Sequence, residues 1–312
     1  MIGLEKNMKH KMQILQEPAA KNGPLCVGLD TDPSYIPEEV ASLYSSPAQA
    51  VLAYNKEIIQ RVKSDRSACC FKVQAAYYEA MGLEGMQVYS QTLKLVKDSG
   101  LICISDVKRG DIAASAKAYA RAHFSGDFET DIMTVNPYMG FETLEPFTEY
   151  CKSNGKGVFV LLRTSNPGMN DLENLELKDG GRVLDRVGAE LNRLSQKLNE
   201  SYPGQTCSPI GAVVGCTEEE NARVLRETYP DIFFLIPGYG AQGGDARIAA
   251  TLLLKAGGTV NSSRGILCAW KKSEDCIKKQ NESKLTMKDI ADAAAIASIN
   301  AKNDLLAAKA QL

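Results

Sequence analysis

The stretch LICISDVKRGDIAAS, residues 101–115, passes from an apolar, β-rich run into a charged turn and then into a helix-like run. Strand, charge and helix in that order describe one β/α unit whose polar residues sit where the strand ends. The same kind of run recurs as LCVGLD (25–30), ACCFKVQ (68–74), DIMTVN (131–136), GVFVLLRTS (157–165), GAVVGC (211–216), IFFLIPG (232–238) and GTVNSSR (258–264). Segments of helical periodicity such as AQAVLAYNKEIIQRVK and TEEENARVLRETY lie between these runs. The Ala- and Leu-rich LTMKDIADAAAIASINAKNDLLAAKA follows the last of them. Near-continuous apolar strands alternating with helices make a parallel sheet covered by helices. Eight such units in roughly 250 residues predict an α/β fold of the closed (β/α)8 barrel type, a TIM barrel. A doubly wound open sheet is the alternative.

The bulk composition fits this. A chain of 312 residues, 44% hydrophobic and 24% charged, can bury a large core and needs no disordered or coiled-coil reading. A net charge of −2 gives no general attraction to nucleic acid or to an anionic membrane, so an anionic ligand must be held by local geometry. The first twenty residues lack the apolar core of a signal peptide, and no apolar run approaches the roughly 18 residues of a membrane span. The nine cysteines are scattered and never spaced CxxC, which predicts buried reduced thiols in a cytoplasmic protein. With His10 and His123 the only histidines, a His-rich metal site or a Ser–His–Asp triad has little to draw on. No low-complexity linker divides the chain, which predicts a single domain over 1–312 with an N-terminal extension. Two insertions are expected on the C-terminal side of the strands, 166–181 after the fifth and 270–284 after the eighth, as lids or as surface loops.

Charged residues gather where the strands end. Asp30 closes the first run, Lys72 sits in the second between Phe71 and Val73, and Asp106 and Lys108 end the third. In a strand, residues two apart share a face, so Asp106 and Lys108 point together while Val107 points away. Catalytic groups of a barrel collect at this end. Two glycine-bearing loops look suited to phosphate. PGYGAQGGDA (237–246) precedes a helix predicted to begin near Asp245, and NSSRGI (261–266) offers the guanidinium fork of Arg264. Barrels commonly hold phosphate with the loops after strands 7 and 8.

The set VGLD, FKVQ, DVKRGDI, TSNPG, PGYGAQGGD and SSRG resembles orotidine 5′-phosphate decarboxylase, in the longer bacterial branch of that family, over residues 20–305. Two departures occur: Ala113 stands where Gly or Pro is usual and Ser115 where Thr is usual. The resemblance implies cofactor-free, metal-free decarboxylation of orotidine 5′-phosphate to uridine 5′-phosphate, the last step of pyrimidine biosynthesis. It makes Lys108 the proton donor to C6 and sets Asp106 beside the departing carboxylate. Lys72 and Asp111 complete an alternating charge network, with Asp111 supplied by the second subunit of a homodimer. It also implies that Asp30 and Lys72 bind ribose hydroxyls with help from Ser115 across the dimer. Ser165 reads the pyrimidine edge, and Gln242, Gly243 and Arg264 hold the phosphate.

The chemistry accounts for such an array. Decarboxylation without an electron sink leaves a carbanion, which needs a fixed cation able to deliver a proton. Three other readings stand beside this one. A sugar-phosphate decarboxylase or epimerase of the same superfamily would depend on magnesium. A Schiff-base aldolase would need a neutral lysine. A phosphate-binding module without catalysis would be expected to lack part of the charged array.

Overall fold

Each of the eight apolar runs forms a strand: β1 (Leu25–Gly28), β2 (Cys70–Gln74), β3 (Ile102–Arg109), β4 (Ile132–Val135), β5 (Gly157–Arg163), β6 (Ile210–Val214), β7 (Phe234–Ile236) and β8 (Gly258–Ser262). A computed structural model describes residues 8–215, 217–239 and 245–312. The strands are all parallel and pair in chain order. The circle closes where Leu25 of β1 faces Val260 of β8, which excludes the open doubly wound sheet. The family of helices that covers the barrel includes Pro47–Asp65, Gly82–Asp98, Val183–Asn199 and Met287–Lys309.

Alternation along each strand divides the core in two. Val27, Phe71, Val73, Cys103, Val135, Val160, Ala212, Val214 and Phe234 face outward and join the helices in one apolar cluster. Cys26, Cys70, Ile102, Ile104, Ile132, Phe159, Val213 and Leu235 form a second cluster inside the barrel. Burying side chains of this size contributes about 1.5–3 kcal/mol each. The N-terminal helix Lys11–Asn22 adds Met12, Leu15 and Ala19 to the interior cluster, and so closes the end of the barrel where the strands begin. Apolar residues thus fill the lower barrel, and polar inward residues are left to the upper end.

Local signals set the helix boundaries. Ser46 caps the helix Pro47–Asp65 by accepting from the Gln49 amide at 3.2 Å, with Pro at the first position. Thr286 and Asp289 form a reciprocal capping box at the start of Met287–Lys309. Asp245 caps the helix Ala246–Leu252, as expected from its place after the glycine loop.

The two insertions differ in character. Residues 166–181 hold a 3-10 turn, Pro167–Asp171, and end in an isolated bridge between Glu176 and Arg182. Residues 270–284 are more than a loop, because they include the helix Glu274–Asn281. Trp270 and Cys276 are buried there, and the indole N–H of Trp270 donates to the Tyr35 carbonyl at 2.8 Å. The apolar spacing of two side chains within a charged segment anchors it to the barrel. Cys26, Cys69, Cys70, Cys103, Cys151, Cys207 and Cys276 are buried free thiols. Among the described residues no helix is long and apolar enough to cross a membrane.

Candidate active site

A cavity of about 390 Å³ opens at the C-terminal ends of the strands. Its lining includes Asp30, Lys72, Asp106 and Lys108, together with Ser165, Pro237, Gly238 and Arg264. Strand alternation brings the charges together: Lys72 points inward because Phe71 and Val73 point to the helices, and Asp106 lies one strand over.

The charges form one unbroken line. Lys72 Nζ lies 2.9 Å from Asp30 Oδ1 and 3.0 Å from Asp106 Oδ2, and Lys108 Nζ lies 2.6 Å from Asp106 Oδ1. Asp106 also accepts from Gln74 Nε2 at 3.0 Å and from the Thr134 hydroxyl at 3.0 Å. Asp30 accepts from the Ser263 hydroxyl at 2.8 Å, and Ser263 in turn accepts from the Asn261 amide at 3.1 Å. Burial pushes the Asp106 carboxyl pKa up, but Lys72 and Lys108 more than reverse this and hold it at about 2. Burial likewise opposes the charge on Lys72, yet the Asp30 and Asp106 carboxylates raise its pKa above the ordinary lysine value. The side chain of Lys108 is different: 44% of it is exposed, so it faces the cavity with access to solvent.

The backbone at Lys108 is unusual. Its φ is +45°, in the left-handed region, where a non-glycine residue costs about 1–2 kcal/mol. The strand pairing skips at the same place: Ser105 faces Met133, but the next β3 residue in register, Arg109, faces Val135. Two extra residues of β3 are accommodated across from Thr134. Ala113, the first residue of the helix Ala113–Ser125, also has a left-handed backbone, with φ +46°.

Asp111 and Ser115 are not brought into the cavity of their own chain. Asp111 Oδ1 accepts from the next amide, that of Ile112, at 2.8 Å, and Ser115 is exposed on the first turn of the helix. Within one chain the line of charge therefore runs Asp30, Lys72, Asp106, Lys108 and stops short of the third member of the DxKxxD stretch. Gln242 and Gly243 lie outside the described residues. Arg264 begins a short helix, Arg264–Leu267, at the rim.

Several lining residues escape a reading of the sequence. Thr134 is the one polar residue of the run IMTV, and its even spacing from Ile132 is a signal that it faces inward. Gln74, Asn261 and Ser263 also sit at strand ends, where their types alone do not separate them from ordinary loop polarity. Glu173, which stands behind the lining residue Thr164, carries no local signal either. From the insertion it accepts the Thr164 amide at 2.9 Å and the Thr164 hydroxyl at 2.8 Å, which holds the backbone next to Ser165. Among the described residues no group of three or more His, Cys, Asp or Glu side chains is placed to hold a metal ion.

Comparison with known proteins gives one family. The model of the orotidine 5′-phosphate decarboxylase / HUMPS family matches residues 23–275. The chain is 52% identical over 263 residues to an orotidine 5′-phosphate decarboxylase of Clostridium perfringens (strain SM101 / Type A), covering 84% of this chain and 90% of that one. It is 48% identical over 270 residues to that of Clostridium kluyveri, with 86% and 91% covered. Among solved structures, Leishmania donovani OMP decarboxylase superposes with a TM-score of 0.69 at 28% identity, covering 96% of this chain and 98% of that one. The orotidine 5′-monophosphate decarboxylase of Plasmodium berghei shares the fold, with a TM-score of 0.72 at 19% identity and coverage of 95% and 100%.

Proposed function

The chain belongs to the orotidine 5′-phosphate decarboxylase / HUMPS family, and from that premise we propose that it converts orotidine 5′-phosphate to uridine 5′-phosphate, closing pyrimidine biosynthesis in the cytoplasm. One observation carries the reading: the alternating line Asp30, Lys72, Asp106, Lys108 shares a single cavity with Arg264. A phosphate held by Arg264 keeps the pyrimidine in the same cavity as the charges.

The reaction balances without a further reagent. The bond from C6 to the carboxylate breaks, carbon dioxide leaves, and the electron pair stays on C6. The Lys108 ammonium stabilises that pair and then gives it a proton, and the neutral amine regains its proton from solvent. Asp106 aims Lys108 through the 2.6 Å contact, so little reorganisation accompanies the charge movement. Lys72, held between two carboxylates, is a fixed charge and a donor to ribose, with Asp30 as the matching acceptor. Ser165 reads the pyrimidine edge from a backbone pinned by Glu173. Gln242 and Gly243 join Arg264 on the phosphate, whose remote binding energy orients the reacting ring.

The active unit in this reading is a homodimer of single-domain barrels. Asp111 and Ser115, which are not part of their own cavity's lining, serve the neighbour's. Exposed Ile112, Tyr138 and Met139 supply apolar surface for such a contact. The test is an absorbance assay: purified chain in excess chelator should consume orotidine 5′-phosphate with steady turnover. Folded protein that leaves the absorbance unchanged would overturn the assignment.

A further inference from the structure

We infer that Thr134 is a positioning residue for this reaction, one that sets both the direction of Asp106 and the backbone of Lys108; the inference rests on the function proposed above. A hydroxyl has one hydrogen to donate and two lone pairs to accept with. At Thr134 all three are in use. Oγ1 accepts from the Val107 amide at 3.0 Å and from the Lys108 amide at 2.9 Å, and donates to Asp106 Oδ1 at 3.0 Å. With both lone pairs taken by main-chain N–H groups, the hydrogen has one direction left, toward the carboxylate. The residue is 1% exposed, so water does not compete for these bonds.

The arrangement repairs a defect in the sheet. Between the Ser105–Met133 and Arg109–Val135 pairs, β3 carries two residues more than β4, and the ladder cannot match every β3 amide to a β4 carbonyl. The Thr134 side chain takes the place of the missing acceptor for two successive amides. The second of these belongs to Lys108, whose left-handed φ of +45° persists because its N–H is held there. The same atom thus joins the backbone that carries the ammonium to Asp106 Oδ1, the oxygen that receives the ammonium at 2.6 Å. A threonine kept only for strand propensity would need none of these bonds.

The test compares Thr134→Val, which keeps the shape without the hydroxyl, with Thr134→Ser, which keeps the hydroxyl. Wild-type turnover of orotidine 5′-phosphate is measured first: if it is absent, the function fails and the positioning question does not arise. With wild type active, Thr134→Val should lose on the order of 30-fold or more in kcat. Its affinity for uridine 5′-phosphate should stay within about threefold, because the product makes no use of the aimed proton. The acid limb of its kcat profile should move to higher pH, since Asp106 has lost a donor to its charged form. Thr134→Ser should stay within about threefold of wild type in kcat. The inference is overturned if Thr134→Val turns over normally, if its turnover and product affinity fall in parallel, or if Thr134→Ser is as damaged as Thr134→Val. Should Thr134→Val not fold, amide hydrogen exchange in the wild type decides. Val107 and Lys108 amides protected like their strand neighbours, together with an active Thr134→Ser, support the inference; freely exchanging amides or an inactive Thr134→Ser overturn it.

Discussion

The ammonium of Lys72 lies 3.0 Å from Oδ2 of Asp106, and neither side chain is more than 9% exposed. Burying such a pair costs several kcal/mol of hydration for each ion, and an apolar pair of the same volume would often be as stable or more so. The second carboxylate, Asp30 at 2.9 Å, and the donors Gln74 and Thr134 offset part of that cost. The arrangement is therefore understood as a preset electrostatic field and not as a device for stability.

The pair makes stability depend on acid. Asp106 is held at about 2 in the folded chain, against about 3.9 when unfolded. A carboxyl with a depressed folded pKa stabilises fully above its unfolded value and loses that contribution as pH falls through the folded one. Asp106 should thus contribute about 2 kcal/mol at neutral pH that disappears between roughly pH 4 and pH 2. Urea unfolding of wild type and Asp106→Asn across this range is the check. The wild type should lose about 2 kcal/mol more than the variant, and parallel curves would contradict the assignment.

Lys108→Ala should nearly abolish turnover while uridine 5′-phosphate still binds. Removing a charge-stabilising donor of this kind commonly costs on the order of 3–4 kcal/mol in the barrier. The side chain is 44% exposed and reaches the fold through Asp106, so its loss should leave the barrel intact. Single-turnover kinetics alongside a binding titration measure both quantities. Turnover within tenfold of wild type would remove Lys108 from the reaction.

Arg264→Ala should weaken a phosphate-bearing ligand and spare its nucleoside. A hydrogen bond to a charged group contributes roughly 1.5–3 kcal/mol, and only the phosphate offers that partner. Calorimetric titration with uridine 5′-phosphate and with uridine separates the two. Equal losses for both ligands would mean that Arg264 acts on the fold of the rim.

Shared sites predict complementation. Lys72→Ala and Asp111→Ala subunits, each inactive alone, should regain activity when mixed under exchange. In a mixed dimer one site carries both defects and the other carries neither. Random pairing makes about half the dimers mixed, so about a quarter of wild-type activity should return. If exchange is demonstrated and activity stays at baseline, Asp111 serves its own subunit.

The order of elements was legible in the residues themselves. Eight apolar runs separated by helical periodicity give the barrel its strands, and the closed β1–β8 pair is where the prediction meets the structure. Period two in FKV was enough to turn Lys72 inward between Phe71 and Val73, because strand alternation is a local property of the chain. The helical content of 270–284 was missed, since its charges outnumber the two buried side chains, Trp270 and Cys276, that anchor it.

What no local pattern holds is the set of relations between strands. That Asp106 receives Lys72 on one oxygen and Lys108 on the other depends on the β2–β3 register, in which Gln74 stands beside Asp106. That β3 skips against β4, leaving Thr134 to hold two amides and Lys108 in a left-handed backbone, depends on two segments 26 residues apart in sequence. Glu173 reaches the backbone of Thr164 from a segment read as a lid or a surface loop. Sequence determined which groups stand at the mouth of the barrel, because side-chain direction follows from neighbours along the chain. Tertiary structure decided which atoms touch, because hydrogen bonds and ion pairs form across distances that only strand register and closure set.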